Sequence, residues 1–261
     1  MHRQPSPRPR PALSPLPGAS VTIVLPAVPE STGGSGGRAA RAAVRTAARA
    51  AGELLITLGV LVLFFAAYEV YGKTALIHDR QHVLDDQLAQ AWGTPALAPP
   101  VAGAAAGALA PPSGNAVGRL YLPKLHLHWV IVEGVTPHDI RYGPGHYPGT
   151  ALPGQPGNFS VAGHRVIGIF WDLDRIQPGD VAIVETRTGW YVYRVTENHI
   201  VTPHSTEVIA PQPNQPGVAP DGAYLTMTTC NPKYDNYQRM AVHARLVGTS
   251  PHDQRPAELG S

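Results

Sequence analysis

The chain reads as two unlike halves once its apolar positions are marked. In the first, Leu54-Leu-Ile-Thr-Leu-Gly-Val-Leu-Val-Leu-Phe-Phe-Ala-Ala-Tyr68 is nearly unbroken, and Glu69-Val-Tyr71 follows it. Counted from the small residues at Ala50, about 20 positions are predominantly apolar, roughly the length that crosses a hydrocarbon layer. Ahead of it, Arg38, Arg41, Arg45 and Arg49 recur at helical spacing in an Ala-rich segment. This pattern predicts a retained transmembrane helix over 50–71. The Arg cluster would lie on the cytoplasmic side, and Tyr68 and Tyr71 at the far interface. A cleaved signal peptide competes with that reading. It needs a shorter apolar region and a small-residue cleavage site, for which Gly72-Lys-Thr-Ala is a poor candidate. Residues beyond Tyr71 are then extracytoplasmic, beginning with a polar helical stalk over 72–92.

From Val117 the period changes to two. Val117–Pro123, Leu127–Val135, Asn158–His164, Asp180–Thr186, Trp190–Thr202, Ala223–Cys230 and Arg239–Gly248 alternate or run apolar as short strands do. Thr136–Tyr142 reads as a short helix with Thr136 as N-cap and Pro137 at its first position. Phe170–Ile176 resembles another, leading into the turn Gln177-Pro-Gly-Asp180. Many short strands with one or two helical turns argue for a mainly β domain, a closed barrel or a sandwich.

Composition sets the limits of that domain. The 27 Gly and 28 Pro crowd into the first 50 residues and 93–115, stretches that bury too little apolar surface to offset their ordering entropy. The expected organisation is a disordered cytoplasmic tail with a basic Ala/Arg segment over 1–49, the span over 50–71 and the stalk over 72–92. A Pro/Ala/Gly linker over 93–115, the β domain over 116–250 and a disordered tail over 251–261 follow. Extended, the linker would reach up to about 70 Å. The net charge of +2 is too small to argue for nucleic acid. One cysteine excludes an internal disulfide.

That cysteine ends the strand Ala223-Tyr-Leu-Thr-Met-Thr-Thr-Cys230, and Asn231-Pro232 stops the ladder behind it. A lone cysteine is most often a small buried hydrophobe, so its surroundings decide. With Leu225 and Met227 facing the core, Cys230 leaves on the other face with Thr226 and Thr228. With Phe159 and Val161 inward, His164 falls opposite them. With Met240, Val242, Ala244 and Leu246 inward, Arg239 points out beside His243 and Arg245. If those strand ends adjoin, they bring together a thiol, an imidazole that can take its proton, and a guanidinium that can stabilise an oxyanion. No carboxylate or Asn behind the histidine is assignable from the sequence.

Three segments carry a resemblance. Thr226-Met-Thr-Thr-Cys230 resembles the TLXTC motif of sortases, with Met227 in the Leu position, a swap of similar volume. Val161-Ala-Gly-His-Arg165 is similar to the family's catalytic His segment, and Arg239, nine residues after the cysteine, matches its Arg. The likeness covers about 118–248. It implies a closed eight-stranded β-barrel and a cysteine transpeptidase in which Cys230 forms a thioester with the Thr of a sorting signal. His164 would be the acid/base and Arg239 would hold substrate backbone and oxyanion. An amine of the cell-wall precursor would then release the anchored surface protein. Gly143-Pro-Gly-His-Tyr-Pro148 and Thr228-Thr-Cys-Asn-Pro232 look most like class E sortases, a class associated with LAXTG rather than LPXTG signals. Tyr147 resembles the tyrosine linked to that preference; it equally reads as a loop anchor. Thr229 resembles a substrate-contacting residue, with a local backbone bond as its plainer role, and Thr228 is expected beside it. The implied partners are surface proteins with sorting signals, the lipid-linked wall precursor and the membrane; no nucleic acid and no cofactor are implied.

Other chemistries are weaker. His126 and His128, with His138 or His146, lack the Cys or carboxylate partners of a closed zinc site, and no acidic cluster dense enough for calcium is evident. A non-catalytic tethered adhesin would share the anchor and linker but needs no converging Cys, His and Arg. An L,D-transpeptidase would place its cysteine in His-Gly-Cys, which is absent.

Overall fold

A computed structural model describes residues 35–93 and 111–260. Residues 1–34 of the tail expected over 1–49 and residues 94–110 of the linker lie outside the described residues, while 35–49, expected to be disordered, are helical. The chain divides into two units, 1–59 and 60–261.

Helix α1 runs Ser35–Ala67, rich in Ala and free of proline. Its apolar side chains, Leu61, Leu63, Phe64 and Phe65 among them, are exposed rather than packed. By length and composition, Gly37–Ala67 can cross a membrane. A π-helical turn, Tyr68–Gly72, leads into α2, Lys73–Gly93.

The second unit is built on eight strands: β1 Ala116–Leu122, β2 Leu127–Glu133, β3 Gly145–His146, β4 Gly157–Ala162, β5 Val181–Thr186, β6 Gly189–Val201, β7 Ala223–Asn231 and β8 Gln238–Pro251. They close in the order β1-β2-β3-β4-β7-β8-β6-β5, the eight-stranded barrel that the resemblance implied. Two neighbouring pairs are parallel, β2 with β3 and β4 with β7. The alternating positions do what their period requires: Leu120, Leu122, Phe159, Val161, Leu225, Met227, Val242 and Ala244 fill one interior core. Among short elements, β3 is too short to show a period. The expected helix over 136–142 is reduced to one 3-10 turn, Asp139–Arg141. Its N-cap is His138 rather than the expected Thr136, whose N–H and hydroxyl instead both donate to Asp139 Oδ2.

Two further segments differ from their sequence readings. Helix α2 is helical as expected, but it lies against the barrel rather than standing free. Gln81 pairs with β2 and its neighbour as a strand residue would: Oε1 accepts from Val130 N–H at 2.7 Å and Nε2 donates to Tyr142 O at 3.0 Å. Asp85 binds Arg119, whose guanidinium lies 4.7 Å over the Trp92 ring. Ile77 and Leu88 are buried there. This covers the outer face of β2 and explains why Trp129–Val132 is buried on both faces. The expected disordered tail over 251–261 is likewise held, in its described part. Trp190 Nε1 donates to His252 O at 2.9 Å, His252 Nε2 lies 3.0 Å from Glu185, and Leu259 packs on Ile183 and Trp190. The reason is an apolar patch on the outer face of β5 and β6 that strands alone leave uncovered.

Candidate active site

Three strand ends meet at one groove. The β7–β8 hairpin sets Cys230 directly opposite Arg239, and side chains so paired leave Cβ atoms about 4.5–5.5 Å apart. The thiol is free and half-buried. Arg239 Nη1 donates to the carbonyls of Asn236 at 2.7 Å and Gln238 at 2.8 Å, which fixes the guanidinium at the hairpin turn.

The parallel pairing of β4 with β7 brings in the histidine. Ala162 lies beside Thr228, and past the strand end Gly163 N–H donates to Thr228 O at 3.0 Å. The strand ends there, and His164, just beyond it, lines the same groove as Cys230. Burial holds the His164 imidazole below its usual pKa. Its neutral form, the one able to accept a proton, therefore persists below the usual range. A groove of about 420 Å³ is lined by Cys230, His164, Arg239, Tyr147, Thr228 and Thr229. All six residues singled out in the sequence are thus brought to one place.

Their hydroxyls are partly committed. Thr229 Oγ1 donates to Gly163 O at 2.8 Å, fastening β7 to the histidine segment. Thr228 Oγ1 donates to Val161 O at 3.3 Å and accepts the Tyr147 hydroxyl at 3.2 Å. The phenol oxygen keeps acceptor capacity toward the groove.

Sequence reasoning passed over three contributors. Arg165 follows the histidine and is buried. Its Nη1 donates to Asn231 Oδ1 at 2.8 Å and to Cys230 O at 3.3 Å, while Nη2 lies 3.1 Å from Asp174. It clamps the histidine segment to the end of the cysteine strand. Gly163 is obligatory because a Cβ there would meet the Phe170 ring at 2.6 Å. The 3-10 turn Thr206–Ile209 walls the groove. Its sequence carries no period, whereas an Arg adjoining a candidate histidine was a readable signal.

The histidines weighed as metal ligands are held apart. His128 stacks on Tyr121, His138 is exposed beside Asp139, and His146 is buried with Nδ1 2.6 Å from Glu133 Oε2.

Comparison with known proteins agrees with this geometry. A family model described as "Sortase domain" matches residues 120–247. The chain is similar to sortase SrtE2 of Streptomyces coelicolor, 33% identical over 242 residues, covering 84% of this chain and 91% of the relative. It is also 33% identical over 218 residues to sortase SrtE1 of the same organism; the match covers 80% of this chain but spans 59% of that relative's length. Among solved structures, SrtF sortase from Corynebacterium diphtheriae superposes with a TM-score of 0.56 at 36% identity, over 59% of this chain and 96% of that one.

Proposed function

The chain belongs to the sortase family of cysteine transpeptidases and, by its relatives, to class E; from that premise we propose that Cys230, His164 and Arg239 carry out the transfer. The observation that carries the reading is the convergence of these three side chains, from β7, the end of β4 and β8, on one groove. Cys230 gives its proton to neutral His164, and the sulfur attacks the carbonyl carbon of Thr in a sorting signal. The Arg239 guanidinium stabilises the oxyanion by a few kcal/mol. As the C–N bond breaks, His164 returns the proton to the leaving amine, and the acyl group remains as a thioester. An amine of the cell-wall precursor then attacks the thioester, His164 takes the amine's proton, and the C–S bond breaks. The proton passes back to the thiolate.

The signal preferred is of LAXTG type. Tyr147 donates its hydroxyl proton to Thr228, so its oxygen is placed to accept a backbone N–H of the bound peptide. Proline at that position has no such N–H. The apolar segment of α1 anchors the enzyme with the Arg-rich end cytoplasmic and the barrel outside. The substrates are then surface proteins presented at the outer face.

The test is mass spectrometry of the protein incubated with LAXTG and LPXTG peptides. A hydroxylamine-sensitive adduct on Cys230, absent from Cys230→Ala and favouring LAXTG, is expected. An adduct on another residue, or none with either peptide, refutes the assignment. Equal labelling by both refutes the role of Tyr147.

A further inference from the structure

A second cluster lies on the outer face of the β6–β8 pair. Glu197 and His199 are two residues apart on β6 and so leave it on one face. The register sets Glu197 directly opposite His243 of β8. Taking one donor atom from each, all three lie within 4.8 Å of one another.

His243 is 1% exposed, yet its Nε2 has no hydrogen-bond partner. Orphaned buried nitrogens are rare in native proteins and call for an explanation. The proton positions around it follow from the network. Asn158 Nδ2 donates to the carbonyls of Val208 at 3.1 Å and Ala210 at 3.0 Å. Carbonyls only accept, so the amide is oriented with Oδ1 toward Thr226. The single hydroxyl proton of Thr226 goes to that Oδ1 at 2.8 Å. Its lone pair must therefore accept Nδ1–H of His243, also at 2.8 Å. Nε2 is left as the bare nitrogen of a neutral imidazole. A second proton on Nε2 would be a buried donor with no acceptor, which disfavours the charged ring. An imidazole with its far N–H held by an acceptor and its near lone pair unused is prepared to ligate a metal.

The other two donors are also arranged. Glu197 Oε1 accepts from Asn214 Nδ2 at 3.0 Å, which turns Oε2 toward His199 Nδ1 at 3.8 Å. The Glu197 and His199 side chains are 52% and 29% exposed, so an ion can reach the buried nitrogen from solvent.

We propose that Glu197, His199 and His243 form a binding site for one divalent transition-metal ion, Zn²⁺ above all. Two imidazoles and a carboxylate suit Zn²⁺ and its neighbours, whereas Ca²⁺ and Mg²⁺ take oxygen ligands. Metal–ligand bonds of about 2.0–2.2 Å bring the donors closer together than they stand here. The exposed Glu197 and half-buried His199 make that adjustment by rotamer changes while His243 stays fixed. Water completes the coordination. The site is separate from the thiol. Along β7 and β8 it lies four residues from Cys230 and Arg239, about 13 Å of strand. A bound ion would act on the groove through His243, Thr226 and Asn158, because Asn158 holds the turn at Val208 that walls it.

The test is metal titration of the full chain in detergent micelles after chelator treatment. Zn²⁺ is followed by calorimetry and Co²⁺ by its d–d absorption. One ion per chain is expected. Glu197→Gln and His199→Gln, both near the surface, should each weaken binding about tenfold or more. Thr226→Val, which removes the acceptor fixing Nδ1–H, should weaken it about 10–100-fold. Binding should survive in Cys230→Ala. No saturable binding by the native chain would overturn the proposal. So would binding that ignores Glu197→Gln and His199→Gln, or that disappears in Cys230→Ala, since the ion would then sit elsewhere or on the thiol.

Discussion

Replacing Arg165 by Met keeps much of the side-chain volume and removes the clamp between the histidine segment and the end of β7. Three interactions are lost: the 2.8 Å bond to Asn231, the longer 3.3 Å bond to the Cys230 carbonyl, and the 3.1 Å ion pair with Asp174. A hydrogen bond from a charged donor contributes about 1.5–3 kcal/mol net, and the Cys230 bond sits at the weak end of that range by its length. Stranding a buried charge would add about 3–5 kcal/mol. Here it does not, because the Asp174 side chain is 39% exposed and rehydrates. Relief of the buried guanidinium's own desolvation offsets part of the loss. The expected destabilisation is about 2 kcal/mol, read from guanidinium chloride unfolding by tryptophan fluorescence. Acylation should slow far more, on the order of 100-fold, since a displacement of about 1 Å at reacting groups costs that much. Asp174→Asn is the control. It removes the charge that pairs with Arg165 and Lys233 but leaves the Arg165 bonds to Asn231 and Cys230 in place, so acylation should fall far less than in Arg165→Met. Equal effects from the two substitutions, or an unaltered acylation rate in Arg165→Met, would refute the clamp.

Three further outcomes follow from the same geometry. Because burial lowers the His164 pKa, the neutral base persists as pH falls. The acidic limb of acylation should then lie below the ordinary histidine value of about 6.5, and a limb at or above that value contradicts the assigned base. Gly163→Ala places a Cβ 2.6 Å from the Phe170 ring and should destabilise by about 1–3 kcal/mol. Acylation should fall by more than stability predicts, and a stable, fully active variant would show that the segment yields freely. Tyr147→Phe should leave stability within about 1.5 kcal/mol while LAXTG acylation drops to the LPXTG rate; retained discrimination would leave Tyr147 as a loop anchor.

Much of this site was readable before any coordinates because strand alternation is a strict code. Leu225 and Met227 facing inward forced Cys230 outward, and the same logic placed Arg239. What alternation does not supply is adjacency. Only the register sets Arg239 opposite Cys230 and carries His164 past Thr228. The Glu197, His199 and His243 cluster was hidden for that reason, its members lying on two strands with the pairing unknown. The docking of α2 was missed because its contacts are mainly polar, Gln81 and Asp85, with Ile77 and Leu88 three turns apart. The unbroken Trp129-Val-Ile-Val132 run did signal a strand covered on both faces. The held C-terminal segment offered too few apolar residues to distinguish it from a free end.

The strand order has a bearing on how this molecule comes to be active at all. Without the β7–β8 hairpin, β4 and β6 are two open margins of an unclosed sheet, and nothing else in the order joins them. The piece that seals the cylinder is therefore the one that brings the sulfur and the guanidinium, and its two strands are made after the other six. A polypeptide halted before residue 223 is both unclosed and without its nucleophile, so a half-made chain exposes no armed thiol to its surroundings.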